Sequence, residues 1–597
     1  MKKCFMLFLL ICLVFADLMP VMAMDKEDFS KPQVIESQLD IYLKQRKDTT
    51  ASVSIALFRD GQVTFQKQSG YMDLENKIPV DQDSIYEWGS VSKTLIWVAI
   101  MQLVEEGKLD LNHSALTYLP KSFKSQLHLT YDFSLLDLMN HQAGFQESIY
   151  PIEYDSAKDI PPLKELLLKA NPGQVYQPGT VTAYNNWSAA LAAYIVENQS
   201  GQDFYSYVQK YIFAPLGMTK TSVKPNWSDN VFVQKGRQKG RSYAITTDGK
   251  ESYGKSISYI GLYPAGSCAG TLDDFARYCS QFTAKNSPLF KKANTLEQFK
   301  KASLTYKHSN KGRVYHGLWR LDYGQTLIGH AGNTNGYSSA FWFQPQSNTG
   351  YCVMTNEVGE TTYNYGLAEL FYGAYQKPLQ KSEEITGIYT PARTIETGFA
   401  RFFKYIAGLL PIQKSKEANV YHVPIVNTKI KSLGKNIYQQ DQNGLSVLLR
   451  YQPKEQIIEN YTSDYFKLGK SELITAVISF LALGLNLIVL PIELVAGLFQ
   501  KMRKKKSSQN FKLMVVAELA ASLVTGIVLF LLAGTTYYNS WIGTGICCLS
   551  WTLVLIILTS LSLQFYNESK KWWKWLLLNS LAIISVVAIF FFQLYQL

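Results

Sequence analysis

The stretch Tyr86-Glu-Trp-Gly-Ser-Val-Ser-Lys-Thr-Leu-Ile-Trp-Val-Ala-Ile100 places Ser90 and Lys93 three residues apart at the start of an apolar run. Residues three apart share one face of a helix, so the hydroxyl and the amine are expected to be neighbours. The apolar residues 95–100 predict a buried helix, and Gly89 suits a tight entry into it. Ser90 is therefore predicted to lie at a helix N-terminus, where backbone N–H groups could stabilise an oxyanion.

The Ser-x-x-Lys spacing is weak evidence by itself, because it occurs again at Ser252–Lys255 and Ser432–Lys435. Each of these matches contains a glycine and lacks a long apolar helix after it, so both are interpreted as structural. Taken alone, Ser90 and Lys93 are equally well explained as a helix start with a solvated lysine. Two further elements of the chain favour the catalytic interpretation.

The first element is Tyr184-Asn-Asn186, just ahead of the helical run 189–196. A tyrosine hydroxyl beside a lysine ammonium is expected to have a lowered pKa and to relay protons to a leaving group. The amide of Asn186 could hold a substrate carbonyl. A tyrosine and an asparagine this close together carry no signal without the serine and the lysine.

The second element is His330-Ala-Gly332-Asn333 at a predicted strand end. It would place an imidazole beside a residue small enough for close approach of a substrate. The backbone N–H of Asn333 would then be a second oxyanion donor. A lone histidine at a strand end is, alternatively, an ordinary packed or exposed polar residue.

The net charge of +12 first indicates a nucleic-acid partner, but the position of the charges excludes one. Ten of these charges flank hydrophobic segments, at Lys2 and Lys3, in residues 501–512 and in residues 568–574. This distribution is typical of membrane topology rather than of binding to a polyanion. Residues 1–23, with an apolar run over 4–15 and Val21-Met-Ala23 at the end, predict a secretory signal peptide, with a retained N-terminal anchor as the alternative.

Four apolar stretches are long enough to cross a bilayer, at residues 473–499, 513–532, 546–563 and 575–592. If the signal exports the preceding domains, the first span delivers the basic residues 501–512 to the cytoplasm, as the positive-inside rule requires. The loop 564–574 then also lies in the cytoplasm. The prediction is a multi-pass protein of the cell (inner) membrane with an extracytoplasmic catalytic domain.

The soluble part begins and ends with strand patterns. Residues 52–58 and 63–68 flank an Asp-Gly turn and predict a hairpin, and strands resume from residue 327, with helical patterns between. This order predicts an α+β fold in which the first and last strands of an antiparallel sheet come together. The cysteines show no metal-ligand spacing, so no metal and no cofactor is expected.

With Ser-x-x-Lys, Tyr-x-Asn and His-x-Gly in this order, the chain resembles the serine beta-lactamase and penicillin-binding family, in its class C and DD-peptidase-like branch. The resemblance covers about residues 30–378, and further stretches that look like family blocks lie at 87–94, 102–111, 135–144, 264–274 and 329–339. It implies a beta-lactamase/transpeptidase-like fold, an antiparallel sheet flanked by a helical subdomain.

Residue by residue, the resemblance implies that Ser90 is acylated and that Lys93 and Tyr184 share the general base and acid work. It further implies that Asn186 contacts the substrate amide and that His330 lies on the substrate-facing strand. The sequence departs from many lactamases at His330, where they carry Lys-Thr-Gly. A neutral imidazole binds a carboxylate more weakly than an ammonium does, so the sequence leaves open whether lactams are hydrolysed or only acylate the serine.

The predicted domains are a signal peptide (1–23), a hydrolase domain (24–378), a small β-rich domain (379–470) and four transmembrane helices (471–597). Within the β-rich domain, residues 399–410 have the pattern of an amphipathic helix, and Asp441-Gln-Asn-Gly444 is a turn signal. A role as a spacer or as a substrate gate is open for this domain.

The predicted function is that of a membrane-anchored serine hydrolase, acting through an acyl-enzyme on a peptide, amide or ester. Cell-wall-type peptides with D-amino acids fit best, as for a carboxypeptidase, and cell-wall fragments or beta-lactams are candidate ligands. A narrower alternative is a D-aminopeptidase that matures a prodrug. The alternative of another class is an inactive receptor or scaffold that binds penicillin or wall fragments. The oligomeric state is left open.

Overall fold

The computed structural model describes residues 28–246, 249–426, 428–442, 444–502, 508–533, 538, 540–568, 575–576 and 579–597. The predicted signal peptide therefore lies outside the described residues. The central element is a nine-stranded antiparallel sheet, whose strands in chain order are β1 (Ser52–Arg59), β2 (Gln62–Asp73), β3 (Ile78–Pro79), β4 (Leu304–Thr305), β5 (Gly312–Tyr315), β6 (Leu318–Asp322), β7 (Thr326–Asn333), β8 (Ser338–Gln344) and β9 (Thr349–Thr355).

The spatial order of this sheet is β4-β5-β6-β7-β8-β9-β1-β2-β3. The predicted hairpin is confirmed as β1 and β2, and their turn uses Asp60 and Gly61 with φ of 49° and 85°. These positive φ values match the twist of the two strands and explain the Asp-Gly pair. β9 pairs with β1 along its whole length, so the two ends of the domain meet in one sheet as predicted.

Both faces of the sheet are buried. Along β1, Ala56 and Phe58 belong to the core shared with the helical subdomain, whereas Val53, Ile55 and Leu57 belong to a second core on the other face. This alternation follows from the two-residue period of a strand. The helices of the hydrolase domain are Pro32–Lys44, Lys93–Glu105, Lys121–Lys124, Leu135–Met139, Leu163–Lys169, Asn186–Ser200, Phe204–Val208, Val231–Arg237, Leu272–Ser280, Ala293–Phe299 and Thr362–Tyr372.

The predicted β-rich domain is a closed barrel of eight antiparallel strands in chain order. They are β10 (Gly387–Pro391), β11 (Leu410–Lys414), β12 (Val420–Val423), β13 (Thr428–Ser432), β14 (Ile437–Gln442), β15 (Leu445–Gln452), β16 (Ile457–Glu459) and β17 (Tyr465–Lys467). The helix predicted over residues 399–410 is wrong. Only a short 3-10 turn, Arg401–Tyr405, forms there, because Gly398 and Gly408 on either side adopt positive φ.

Three of the four predicted spans are helices long and apolar enough to cross a membrane, Lys470–Met502, Gln509–Ala533 and Ser540–Glu568. Of the fourth predicted span, the structure describes the apolar helix Ser580–Phe591, and residues 577–578 lie outside the described residues. The basic loops 501–512 and 564–574 lie partly outside the described residues.

Candidate active site

Ser90 lies in a 3-10 turn, Gly89–Ser92, that runs directly into the helix Lys93–Glu105. Lys93 Nζ lies 3.0 Å from Ser90 Oγ and donates to the carbonyl oxygen of Ala265 at 2.7 Å. The helix is buried almost throughout because of its apolar residues, and this burial fixes the serine and the lysine relative to each other. The structure thus places the predicted pair side by side at a helix start.

The surroundings of Lys93 disfavour its charge. Its side chain is completely buried, and this desolvation holds the pKa of the amine well below its usual range. The guanidinium of Arg393 lowers the pKa further, whereas the carboxylate of Glu147 raises it. A neutral amine beside a serine hydroxyl is able to accept the proton of that hydroxyl.

Two glycines allow the backbones around Ser90 to approach closely. A Cβ added at Gly332, in β7, would lie 2.1 Å from the carbonyl oxygen of Trp88 and 2.6 Å from the amide nitrogen of Ser90. A Cβ added at Gly89, which has φ of +51°, would lie 2.6 Å from the amide nitrogen of Asn333. The amides of Ser90 and Asn333 are therefore brought to one place, as two oxyanion donors would require.

The structure places Tyr184 beside Lys93, whose Nζ lies 4.9 Å from the centroid of the tyrosine ring. The expectation of a lowered pKa at Tyr184 is wrong. Burial raises the pKa of this hydroxyl well above its usual range, and the nearby Ser90 hydroxyl and Arg393 guanidinium offset this only in part. The sequence-based expectation assumed a charged lysine neighbour, whereas Lys93 has its own pKa lowered by the same burial.

His330 is placed near the other groups but is fully buried. Its ring stacks on Trp319 at 3.9 Å between centroids and lies 6.4 Å from the ring of Tyr184. Its Nδ1 lies 2.7 Å from the carbonyl oxygen of Ala331. Desolvation, followed by repulsion from Lys93, lowers the pKa of His330 to about 3. The imidazole is therefore neutral at ordinary pH.

Asn186 and Asn333 lie at the edge of this group. Asn186 is the first residue of the helix Asn186–Ser200 and is half-buried, while the capping role belongs to Asn185, whose Oδ1 accepts from Ser188 N at 2.8 Å. Asn333 is exposed, and its Oδ1 accepts from Ser338 Oγ at 2.7 Å. Neither side chain has a described hydrogen bond to Ser90 or Lys93.

Two residues of the site were missed by sequence reasoning, His141 and Arg393. The ring of His141 packs 4.4 Å from that of Tyr184, and its Nδ1 accepts from Asn185 N at 3.3 Å. His141 lies in a stretch that resembles a family block, but its positive φ of 54° and its contact with Tyr184 are not readable from sequence. Arg393 comes from the barrel domain, where no motif marks it.

The other two Ser-x-x-Lys matches lie in different surroundings. Ser252 ends an exposed strand, Gly249–Ser252, and Ser432 ends the barrel strand β13. Neither serine starts a helix, in agreement with their interpretation as structural. In the described part of the chain, no group of three or more His, Cys, Asp or Glu side chains is arranged to hold a metal ion.

An antiparallel sheet with a helical subdomain on one face and a serine–lysine pair at a helix start defines the beta-lactamase-like class of α+β proteins. The profile of the beta-lactamase family matches residues 39–370, more than half of the chain. The chain therefore belongs to the beta-lactamase family, which consists of serine hydrolases.

Individual relatives are distant. The chain is 22% identical to protein flp of Staphylococcus aureus (strain MRSA252) over 54% of its own length and 63% of that protein. It is 29% identical to a beta-lactamase of Yersinia enterocolitica over 36% of its length and 53% of the relative. Among solved structures, SurE is similar with a TM-score of 0.50 and 15% identity, covering 74% of this chain and 99% of that chain. This last likeness shows the fold.

Proposed function

We propose that this protein is a membrane-anchored, extracytoplasmic serine hydrolase that forms an acyl-enzyme on Ser90. The observation that carries the proposal is the 3.0 Å contact between Ser90 Oγ and a buried Lys93 Nζ, in surroundings that lower the pKa of the amine. The lowered pKa favours the neutral amine, which is the form able to act as a general base for a serine hydroxyl.

In the proposed acylation, Ser90 Oγ attacks the carbonyl carbon of an amide or ester and its proton passes to Lys93 Nζ. The developing oxyanion would lie between the backbone N–H groups of Ser90 and Asn333, which the two glycine contacts bring together. The contact of Lys93 Nζ with the carbonyl oxygen of Ala265 keeps the amine oriented towards the serine.

Collapse of the tetrahedral intermediate breaks the bond to the leaving group, which must take up a proton. Tyr184 is suited to donate it, because its raised pKa keeps the hydroxyl protonated and the proton taken up by Lys93 can replace it. Water then cleaves the acyl-enzyme by the same steps in reverse, with Lys93 and Tyr184 as the groups that move protons. Asn186, at the start of its helix, would contact the substrate amide. His330, whose ring lies 6.4 Å from that of Tyr184, would support the tyrosine.

The proposed substrates are peptides with D-amino acids of the cell-wall type, or related amides and esters. Cell-wall peptides are found on the outer side of the cell membrane, where the predicted signal and spans place the domain. The described contacts support this topology. Phe399 N donates to the carbonyl oxygen of Gln596 at 2.6 Å, and Tyr538, from the connector after the second span, hydrogen-bonds the carbonyl oxygen of Ile149. These contacts support a topology in which Gln596 and the connector face the same side of the membrane as the hydrolase and barrel domains.

The test is labelling of the full-length protein in membranes with a fluorescent fluorophosphonate and with a fluorescent penicillin. We expect labelling by the fluorophosphonate at least, lost in Ser90→Ala and retained in the control Ser252→Ala, which removes the serine of a second Ser-x-x-Lys match. If neither probe gives a Ser90-dependent adduct, the hydrolase proposal is wrong. The alternative of a receptor or scaffold that binds without acylation would then be favoured.

A further inference from the structure

The barrel domain forms part of the wall around the candidate active site. Its segment between β16 and β17 pairs with the segment that leads into Tyr184. Tyr184 N donates to the carbonyl oxygen of Thr462 at 2.9 Å, and Asp464 N donates to the carbonyl oxygen of Thr182 at 2.8 Å. The backbone of Tyr184 is therefore held in place by a domain that follows the hydrolase domain in sequence.

Arg393, two residues after β10, brings a positive charge to the same place. Its guanidinium carbon lies 4.9 Å from the centroid of the Tyr184 ring, the same distance as Lys93 Nζ. The distance between the Arg393 guanidinium carbon and Lys93 Nζ is therefore at most twice this value. The Arg393 side chain is 42% exposed and is therefore accessible to molecules from solvent.

Arg393 already contacts a carboxylate in this position. Its Nε donates to Glu147 Oε2 at 2.8 Å, and Glu147 N donates to the carbonyl oxygen of Thr394 at 3.0 Å. The guanidinium is therefore oriented to receive a carboxylate at the rim of the site. Accessible ion pairs contribute little net stability, so a second carboxylate is able to compete with that of Glu147.

The strand β7 offers no positive charge to a substrate. Its histidine, His330, is fully buried and stacks on Trp319, so it does not reach the surface of the site. A guanidinium, in contrast, is always charged and matches the geometry of a carboxylate with two parallel N–H donors. A substrate carboxylate therefore has its partner of opposite charge on the barrel side of the site.

We propose that Arg393 is a specificity-determining residue, which binds a carboxylate of the substrate close to the bond that Ser90 attacks, in exchange for Glu147. The substrate class is then an anionic peptide, amide or ester, and the barrel domain selects it. This inference rests on the proposed acylation of Ser90. It assigns to the barrel a part in substrate recognition, beyond that of a spacer.

The test compares pairs of fluorophosphonates that differ only in the end of an alkyl tail, a carboxylate in one and a carboxamide in the other, with tails of two to five carbons. The measured quantity is the ratio of the labelling rates of Ser90 by the two members of each pair. A general loss of folding or reactivity affects both rates and leaves this ratio unchanged.

For the tail that shows the strongest preference in the wild type, we expect Arg393→Gln to lower the ratio about 10- to 100-fold, the range for a hydrogen bond to a charged group. Arg393→Lys should give an intermediate ratio, and Glu147→Gln should raise the ratio, because it removes the competing carboxylate. Arg277→Gln is the control. Arg277 is 48% exposed, and its Nε lies 2.9 Å from Asp273 Oδ2, in a helix that contributes no residue to the candidate active site.

The outcomes separate the two proposals. Absence of any Ser90-dependent label would overturn the proposed hydrolase. Labelling of Ser90 with the same ratio in the wild type, Arg393→Gln and Glu147→Gln would overturn carboxylate recognition and leave the hydrolase in place. A ratio that falls in both variants would show that Arg393 and Glu147 only tether the barrel to the hydrolase domain, which also contradicts the inference.

Discussion

The two sides of the candidate active site differ in how they are built. On the hydrolase side, Ser90 and Lys93 are fixed within one helical turn, and Gly332 allows strand β7 to pack closely against that turn. On the barrel side, Arg393 and the segment that pairs with Tyr184 come from residues more than 200 positions further along the chain. The chemistry is therefore expected to depend on the first side, and the choice of substrate and the placing of Tyr184 on the second.

The largest expected effect comes from the hydrolase side. Lys93→Met keeps a long apolar stem in the buried helix but removes the proposed general base next to Ser90. We expect labelling of Ser90 by a neutral fluorophosphonate to slow by about 10²–10⁴-fold, the usual contribution of general base catalysis. The rate is measured from time courses of labelling. Lys255→Met, in the exposed second match, should leave the rate unchanged, and an equal rate in Lys93→Met would contradict the assigned base.

The next prediction concerns how much the contacts between the barrel and the hydrolase domain contribute to stability. Arg313, from β5, is buried against the barrel, where its Nε donates to the carbonyl oxygen of Asn460 at 2.8 Å and its Nη2 pairs with Asp464. Arg313→Met leaves the carboxylate of Asp464 without this partner. We expect the free energy of unfolding to fall by about 3–5 kcal/mol, the cost of breaking a buried ion pair from one side.

This loss is measured by urea unfolding of the protein in detergent. The double variant Arg313→Met/Asp464→Asn should recover part of the lost stability, because it no longer buries an unpaired charge. Arg277→Gln, which removes an exposed ion pair, should change the stability by less than about 1 kcal/mol. A single variant as stable as the wild type would show that the two domains are not joined by this pair.

The same contrast explains how much of the molecule is predictable from sequence. The hairpin β1–β2 and the helix after Ser90 have local signals, an Asp-Gly turn and a continuous apolar run, and both are found as predicted. The pairing of β9 with β1 follows from strands at both ends of the domain. These features depend on neighbours in sequence or on simple topology.

What could not be predicted depends on contacts between distant parts of the chain. The position of Arg393 over Tyr184 requires the closed barrel to dock on the hydrolase domain, and no local pattern encodes that docking. The pKa of Tyr184 was misjudged because complete burial, which raises it, follows from tertiary packing.

A smaller effect concerns stability in acid. The pKa of His330 is about 3 in the folded protein, because of burial and of Lys93, against an ordinary value of 6.5. Between these values the unfolded chain binds a proton that folded His330 does not bind. The contribution of His330 to the free energy of unfolding should therefore fall by up to ~1.4 kcal/mol for each unit that the pH drops from 6.5 towards 3.

His330→Gln should remove this contribution and reduce the pH dependence of stability by the same slope. The measurement is urea unfolding at a series of pH values from 7 to 4. His113→Gln is the control, because His113 is exposed next to Asp110. If the pH dependence of the free energy of unfolding is unchanged in His330→Gln, the imidazole is not held neutral in the folded protein. Water would then reach His330 more readily than its burial indicates.

The smallest effect connects the two sides of the site through charge. Arg393 lowers the pKa of Lys93, whereas Glu147 raises it. Only the neutral amine accepts a proton, so the labelling rate should rise with pH as Lys93 loses its proton. Arg393→Gln should move this rise to higher pH and Glu147→Gln to lower pH, each by about one unit or less, because the interactions act through a moderate effective dielectric constant. The pH profile of labelling by a neutral fluorophosphonate measures both shifts. Shifts in the same direction would indicate a general disturbance of the site, whereas opposite shifts would show that the barrel side tunes the base on the hydrolase side.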